Sequence, residues 1–307
     1  MKNKVQRRAY KQHLTLYFMM FPGLLYLLIN NYIPMTGIII AFKKLNFAKG
    51  ILNSPWVGLD HFKFLFSSKD AWIITRNTLF YNLTFILVNM VLGIAIAIII
   101  SEVRSKVMKK IYQSAILLPF LMSMVILSYI VYALLSSENG LINNAVLKAL
   151  HLESIQWYQE PKYWPFILVI ANSWKGVGYG CLIYIASLVG IDPSFYEAAR
   201  LDGATKWQEI TKITLPCLVP TIVTILLLSI GRIFYSDFGL FYQVPMNSGV
   251  LFSKTNVIDT YVYRALIERG NISMSSAAGV YQSVVGFSIV MFSNWIVRKF
   301  DKDRALF

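Results

Sequence analysis

The chain has 307 residues, 56% hydrophobic and 14% charged, with a mean hydropathy of +0.55 and a net charge of +14 from 29 basic and 15 acidic residues. Soluble domains carry about 25% charged residues, so this chain cannot clothe a water-facing surface, and a soluble globular enzyme is excluded. Its basic residues cluster between long uncharged runs, the pattern of a membrane protein with basic flanks rather than a nucleic-acid binder, and Cys181 and Cys217 alone are too few for a disulfide framework or a cysteine metal site.

Runs free of Asp, Glu, Lys and Arg cover Gln12–Phe42, Asn77–Ser101, Ile111–Ser137, Ile213–Gly231 and Asn271–Val297. Another, Tyr163–Ile191, is interrupted only by Lys175. About 20 apolar residues cross a hydrocarbon core, and only helices satisfy their own backbone there in the absence of a barrel's alternating pattern. The predicted fold class is therefore an all-α integral membrane protein with six transmembrane helices. The first run follows a basic stretch (Lys2, Lys4, Arg7, Arg8, Lys11). It is too long for a signal peptide and lacks a small-x-small cleavage site, so it reads as a retained anchor. Phe238–Ser253 is also uncharged, but Gly239, Pro245 and Gly249 interrupt it, which predicts an outer loop, re-entrant in part at most.

An even number of spans puts both termini on one side. The 102–110 loop holds four basic residues in nine, the 138–162 loop two in 25. The positive-inside rule then places both termini and the 102–110 loop in the cytoplasm.

The loop between the fourth and fifth spans, residues 191–216, carries signals that a plain connector does not need. Asp192-Pro193 is a helix start, with a side-chain acceptor at the N-cap and a proline where its missing N–H costs nothing. Gly203 suits the left-handed residue that ends that helix. Thr205-x-x-Gln208 is a capping box for a second helix, and Leu215-Pro216 leads into the fifth span. Ala198 and Ala199 beside Glu197 would let a partner's backbone approach a single charged anchor. The reading is a docking surface for a cytoplasmic protein; the alternative is an ordinary amphipathic loop.

Glu197-Ala198-Ala199, Gly203, Ile213 and Leu215-Pro216, at these spacings, resemble the EAA loop of ABC importer permeases. The resemblance covers roughly Asn77 to Val297 and implies the type I importer (MetI-like) fold. It divides the chain into a segment 1–76 with the first helix, a five-helix core 77–297 and a tail 298–307. It implies that Glu197 pairs with a basic group on an ATPase, that Ala198 and Ala199 pack closely, and that Gly203 bends the loop between two coupling helices. It also implies the partners: a second homologous permease, two cytoplasmic ATPase subunits and an extracellular solute-binding protein. Trp56-Val-Gly-Leu-Asp-His-Phe62 resembles carbohydrate importer permeases. Tyr32-Ile-Pro-Met35, Ala41-Phe-Lys43 and Val257–Arg264 resemble the LplB-like branch, which handles oligosaccharides in a bacterial cell membrane.

No phosphate-binding Gly-x-x-x-x-Gly-Lys-Ser/Thr loop occurs, so this chain is not expected to be an enzyme or to hold a cofactor, and ATP and Mg would belong to the ATPase. His13, His61 and His151 match no metal spacing. Polar residues at membrane depth are expensive and usually face a cavity or a partner. Asn172, Trp174, Lys175, Tyr179, Tyr184, Arg232, Tyr235 and Asp237 are the candidates for a sugar path, with Asp237 neutralising Arg232 or Lys175. The alternative for these charges is a structural ion pair or snorkelling to the interface. Asn172, Lys175 or Gly176, and Tyr179 fall at helical spacing and share a face. Gly176-x-x-x-Gly180 is expected at close helix packing, and Asn82 and Asn89 at interhelical hydrogen bonds. The predicted function is the permease subunit of an ATP-driven oligosaccharide importer. An ion-gradient-driven transporter, or a membrane scaffold that recruits a partner without transport, is the alternative.

Overall fold

A computed structural model describes residues 2–300. Lys302 and Arg304 of the predicted cytoplasmic tail, and the side chains of the basic N-terminal stretch, lie outside the described residues.

Among the described residues the fold is helical, with one isolated antiparallel bridge between Lys43 and Trp56. Helix α1 (Lys2–Leu27) continues through wider and tighter turns to Phe42. Its apolar side chains, Phe18, Met19, Phe21 and Tyr26 among them, are exposed to what would be lipid or a partner. Helix α2 (Lys69–Ser101) is 33 residues long, about 50 Å at 1.5 Å per residue. That exceeds the ~30 Å hydrocarbon core, so α2 tilts or projects beyond it. Ser68 caps its start by accepting from the Ala71 N–H.

The run Ile111–Ser137 is not one continuous span. It forms α3 (Lys106–Leu121) and α4 (Met124–Leu135), bent by 96°. Pro119 sits in the last turn of α3, Met122 is extended, and Ser123 caps α4 by accepting from the Ile126 N–H at 3.2 Å. The carbonyls freed at this bend need donors in an apolar setting. Lys175 Nζ supplies them, to Phe120 O at 2.8 Å and to Met122 O. Among the described residues five helices are long and apolar enough to cross a membrane, and the bent pair makes a sixth if it counts as one span.

Helix α5 (Trp164–Val189) is the hub. A Cβ on Gly178 would lie 2.0 Å from Ile116 O, so glycine lets α3 and α5 touch backbone to backbone. Gly93 of α2 likewise admits the Tyr184 ring, beside a buried cluster of Ala97, Ile100, Cys181 and Ile185. Helix α6 (Pro193–Leu201) follows in the 191–216 loop. Helix α7 then runs without a break from Lys206 to Ile230. Thus the second loop helix and the fifth span are one rod, where the sequence predicted separate pieces.

The stretch 238–253 is not an outer loop but part of the core. Helix α8 (Phe238–Gln243) buries Leu240 and Phe241 against Tyr81, Phe85, Leu127 and Trp164. Gly239 serves contact rather than a turn, since a Cβ there would be 2.7 Å from Met124 Cγ. Helix α9 (Ile258–Tyr263) and α10 (Ile272–Phe300) close the fold around Ile74, Phe234, Ile258, Met274 and Ala278.

Candidate functional site

Two places collect the candidate residues. The first is the 191–216 hairpin. Asp192 Oδ1 accepts from the Ser194 N–H at 2.9 Å, and that bond holds its carboxyl below the ordinary carboxylate value. Helix α6 ends in paired bonds from Ala204 N to Ala199 O and Gly203 N to Arg200 O, the Schellman pattern, with Gly203 at φ +79°. Thr205 and Gln208 cap each other, Gln208 N donating to Thr205 Oγ1 and Thr205 N to Gln208 Oε1.

The hairpin is clamped by residues that the motif does not contain. Arg200 forks onto the buried Glu209 carboxylate at 2.8 and 3.3 Å. Lys206 bridges Glu209 at 3.0 Å and Glu102, just past the end of α2, at 3.0 Å. Tyr196 Oη and Thr214 Oγ1 are 3.0 Å apart. These ties fix α6 to the α7 rod and to the end of α2. Sequence spacing does not reveal them, because each joins residues on different elements. Opposite charges on the two arms of a capped hairpin are the one available hint.

Glu197 and Ala198 are exposed, and Glu197 has no hydrogen-bond or ion-pair partner among the described residues. Ala199, Gly203 and Ile213 line a notch of about 260 Å³ with Ala204, Gln208 and Lys212. Around it Phe195, Leu201 and Trp207 are exposed at 57%, 89% and 72%, too much apolar surface for a loop that faces only water. Leu215 and Pro216 lie outside the notch, on the next turn of α7.

The second place is a cleft of about 400 Å³ between α2, α5, α7 and the broken segment after it. It contains Asn172, Tyr179, Tyr184, Arg232 and Tyr235 of the predicted path, together with Asn82, Asn89 and Ser229. Residues 172–184 are the middle and later turns of α5, and Ser229 to Tyr235 are the end of α7 and the segment beyond it, so the cleft runs from mid-helix toward that end. Asn89 Nδ2 donates to Asn172 Oδ1 at 2.9 Å, and Asn82 Nδ2 to Ile233 O at 2.8 Å in the break after α7. Buried Asn89 Oδ1 and Tyr184 Oη have no partner. Tyr179 stacks on Phe120 with ring centroids 4.9 Å apart, leaving its other face free.

Three predicted path residues are elsewhere. Lys175 is engaged by the carbonyls of the α3–α4 bend. Trp174, adjacent to it on α5, lines a separate apolar pocket with Leu127, Ile130 and Phe166. Asp237 neutralises neither Arg232 nor Lys175; it caps α8, accepting from Leu240 N at 3.1 Å. Gly176 and Gly180 both border the cleft; a Cβ on Gly176 would touch Asn89 of α2 at 3.7 Å, whereas nothing lies within 4 Å of one on Gly180. Helical spacing placed these residues in one of two ways, and packing by α2 and α3 chose the face.

Residues 89–302 match the family described as "binding-protein-dependent transport system inner membrane component". The chain belongs to this family. It is 34% identical over 295 residues to protein LplB of Bacillus subtilis, covering 96% of this chain and 92% of that one. It is also 34% identical to the polygalacturonan/rhamnogalacturonan transport system permease protein YteP of Bacillus subtilis, covering 98% and 94%. A chain in the crystal structure of a bacterial ABC transporter involved in the import of the acidic polysaccharide alginate superposes with a TM-score of 0.87 at 33% identity, covering 96% of this chain and 99% of that one. The chain is thus a membrane permease subunit of a binding-protein-dependent import system, with the type I ABC importer fold. Membership sets aside the ion-gradient and scaffold alternatives.

Proposed function

We propose that this permease carries oligosaccharides through the α2–α5–α7 cleft, powered by a separate ATPase that docks on the 191–216 hairpin. The observation that carries the reading is the continuity of α7. Lys212 and Ile213 of that helix line the notch, and Ile225, Leu226 and Ser229 of the same helix line the cleft. From Ile213 to Ile225 the rise is about 18 Å. A push on the clamped hairpin therefore reaches the cleft along one continuous helix, which has a wide turn at Ile210–Thr214 and lacks the N–H donors of Pro216 and Pro220 on the way.

In this mechanism Glu197 meets a basic group of the ATPase, and the apolar side chains around the notch are covered by it. ATP and Mg are held by the ATPase, whose closure tips α7 and opens the cleft outward. A solute-binding protein outside the cell delivers the sugar, and hydrolysis returns the cleft to its inward-facing state. A second, homologous permease completes the path, two ATPase subunits sit below, and both termini are cytoplasmic. The relatives named for polysaccharide import support a sugar cargo, and Tyr rings beside open amide and hydroxyl groups suit its C–H faces and hydroxyls.

Mild-detergent affinity purification of this chain from its native membrane tests the assembly. Recovery of an ATPase, a second permease and a binding protein is the expected result. Isolation of the chain alone, under conditions that keep other importers intact, would refute it.

A further inference from the structure

We infer that the cargo is anionic, a uronate-containing oligosaccharide, and that Arg232 is the group that binds its carboxylate. This rests on the cleft being the transport path.

Arg232 is the only charged residue among the 17 that line the cleft, and no acidic residue is among them. Its side chain makes no hydrogen bond or ion pair with any described residue. The other cations at the heart of the fold are engaged. Arg264 is buried against Asn247, Asn256 and Thr260 and lies 4.0 Å from the Phe252 ring centre. Arg76 binds Asn77 Oδ1 and Ser253 O, and Lys175 binds the α3–α4 bend. The acids near Arg232 in the chain are engaged by neutral donors. Asp237 caps α8, and Asp259 accepts from Ser236 N at 2.8 Å and from Gln282 Nε2 at 3.1 Å.

Arg232 is exposed just past the end of α7, and Phe85, Ile183 and Leu226 are among the apolar residues lining the cleft with it. Unpaired beside that apolar wall, its guanidinium attracts an anion entering the cleft. A neutral sugar leaves that charge uncompensated, whereas a sugar carboxylate fits the planar fork bidentately. One cation matches one carboxylate at a time. Asn89 and Tyr184, whose buried Oδ1 and Oη lack a partner, belong to the same cleft, and a sugar hydroxyl reaches these atoms once their side chains turn toward it.

The test uses the purified permease–ATPase complex in nanodiscs, without binding protein. It is titrated with tetragalacturonate and tetramannuronate and with their carboxyl-reduced, neutral counterparts. Wild type should bind an acidic tetramer at least 10-fold tighter than its neutral counterpart at low salt. Arg232→Gln should erase that preference and Arg232→Lys retain part of it, all with unchanged size-exclusion profiles. Equal wild-type affinity for acidic and neutral forms, no wild-type binding of either acidic tetramer at millimolar concentration, or a preference that survives in Arg232→Gln would overturn the inference. The underlying reading fails separately. Gly180→Trp fills open space in the cleft, and if it leaves both affinities at wild-type values, the cleft is not the path.

Discussion

Glu209 in the 191–216 hairpin and Tyr184 in the α2–α5–α7 cleft are both buried polar residues, yet their hydrogen-bonding differs completely. Glu209 accepts from Arg200 and Lys206, while the Tyr184 hydroxyl and the neighbouring Asn89 Oδ1 have no partner. An unsatisfied buried group costs about 1–3 kcal/mol, and a stable fold seldom tolerates two within one cavity. The contrast follows from what each region does in the proposed mechanism. A transmission element has to keep its shape under load, so its internal polar groups are paired with one another and its caps are complete. A binding cavity needs capacity left open for a ligand, and the fold bears that cost until the ligand arrives.

The comparison can be broken most decisively at the one motif charge the hairpin leaves unpaired. Glu197→Lys reverses the exposed anchor without removing a hydrogen bond of the clamp, although it exchanges attraction for repulsion toward Arg200 one turn on. ATP-dependent uptake in proteoliposomes should fall by about 100-fold or more, and the ATPase should drop out of a pull-down, with membrane insertion unchanged. Wild-type uptake by a well-inserted variant would remove the docking surface. Gly203 tests rigidity itself. At φ +79° a β-branched residue is strained by about 1–2 kcal/mol, with no steric contact to complicate the result. Gly203→Val should cut uptake about 10-fold with the ATPase still bound, and Gly203→Asn, which tolerates the left-handed region, should recover most of it. Equal losses in the two variants would show that the loop's turn is not what matters.

Lys175 sharpens the boundary between the regions, because it lies on α5 within reach of the cleft but braces a backbone bend. Lys175→Met leaves the Phe120 and Met122 carbonyls without their donor, a loss of about 1–3 kcal/mol where lipid keeps water from these partly exposed acceptors. Thermal unfolding of the complex should shift down by several degrees, while the affinity for sugar stays within a factor of three. A large loss of affinity at unchanged thermal stability would return Lys175 to the path.

What could be read beforehand was whatever depends on near neighbours in the chain. The caps at Asp192 and Thr205 and the turn at Gly203 rest on residues one to four apart and the apolar spans on continuous runs, and the structure has each of them except an unbroken third span. The 96° bend was illegible because it depends on Lys175, more than 50 residues from the carbonyls it binds. Residues 238–253 looked like a loop because glycine serves both turns and close contacts, and only Met124 packed against Gly239 tells the two apart. At the cleft, spacing put Asn172, Tyr179 and either Lys175 or Gly176 on one face of α5. The choice between Lys175 and Gly176 was made by where α3 ends.

The smallest expected effect concerns the start of α6, where the Asp192 carboxylate accepts from the Ser194 N–H. This bond lowers the carboxyl's pKa in the folded chain below its value in the unfolded chain, about 3.9. Its stabilising contribution is therefore fully present above that unfolded value and fades as pH falls through the folded one. Amide exchange in α6 should be flat from pH 8 to about 5, after correction for intrinsic rates, and protection should decline below about 4. Asp192→Asn keeps an acceptor at the N-cap without the titrating proton, so its protection should approach wild type at neutral pH and lose the acid-dependent decline. If α6 frays identically in both proteins as the pH falls, the decline comes from the Glu209 clamp. The hairpin's rigidity would then reside in its ion pairs rather than in its caps.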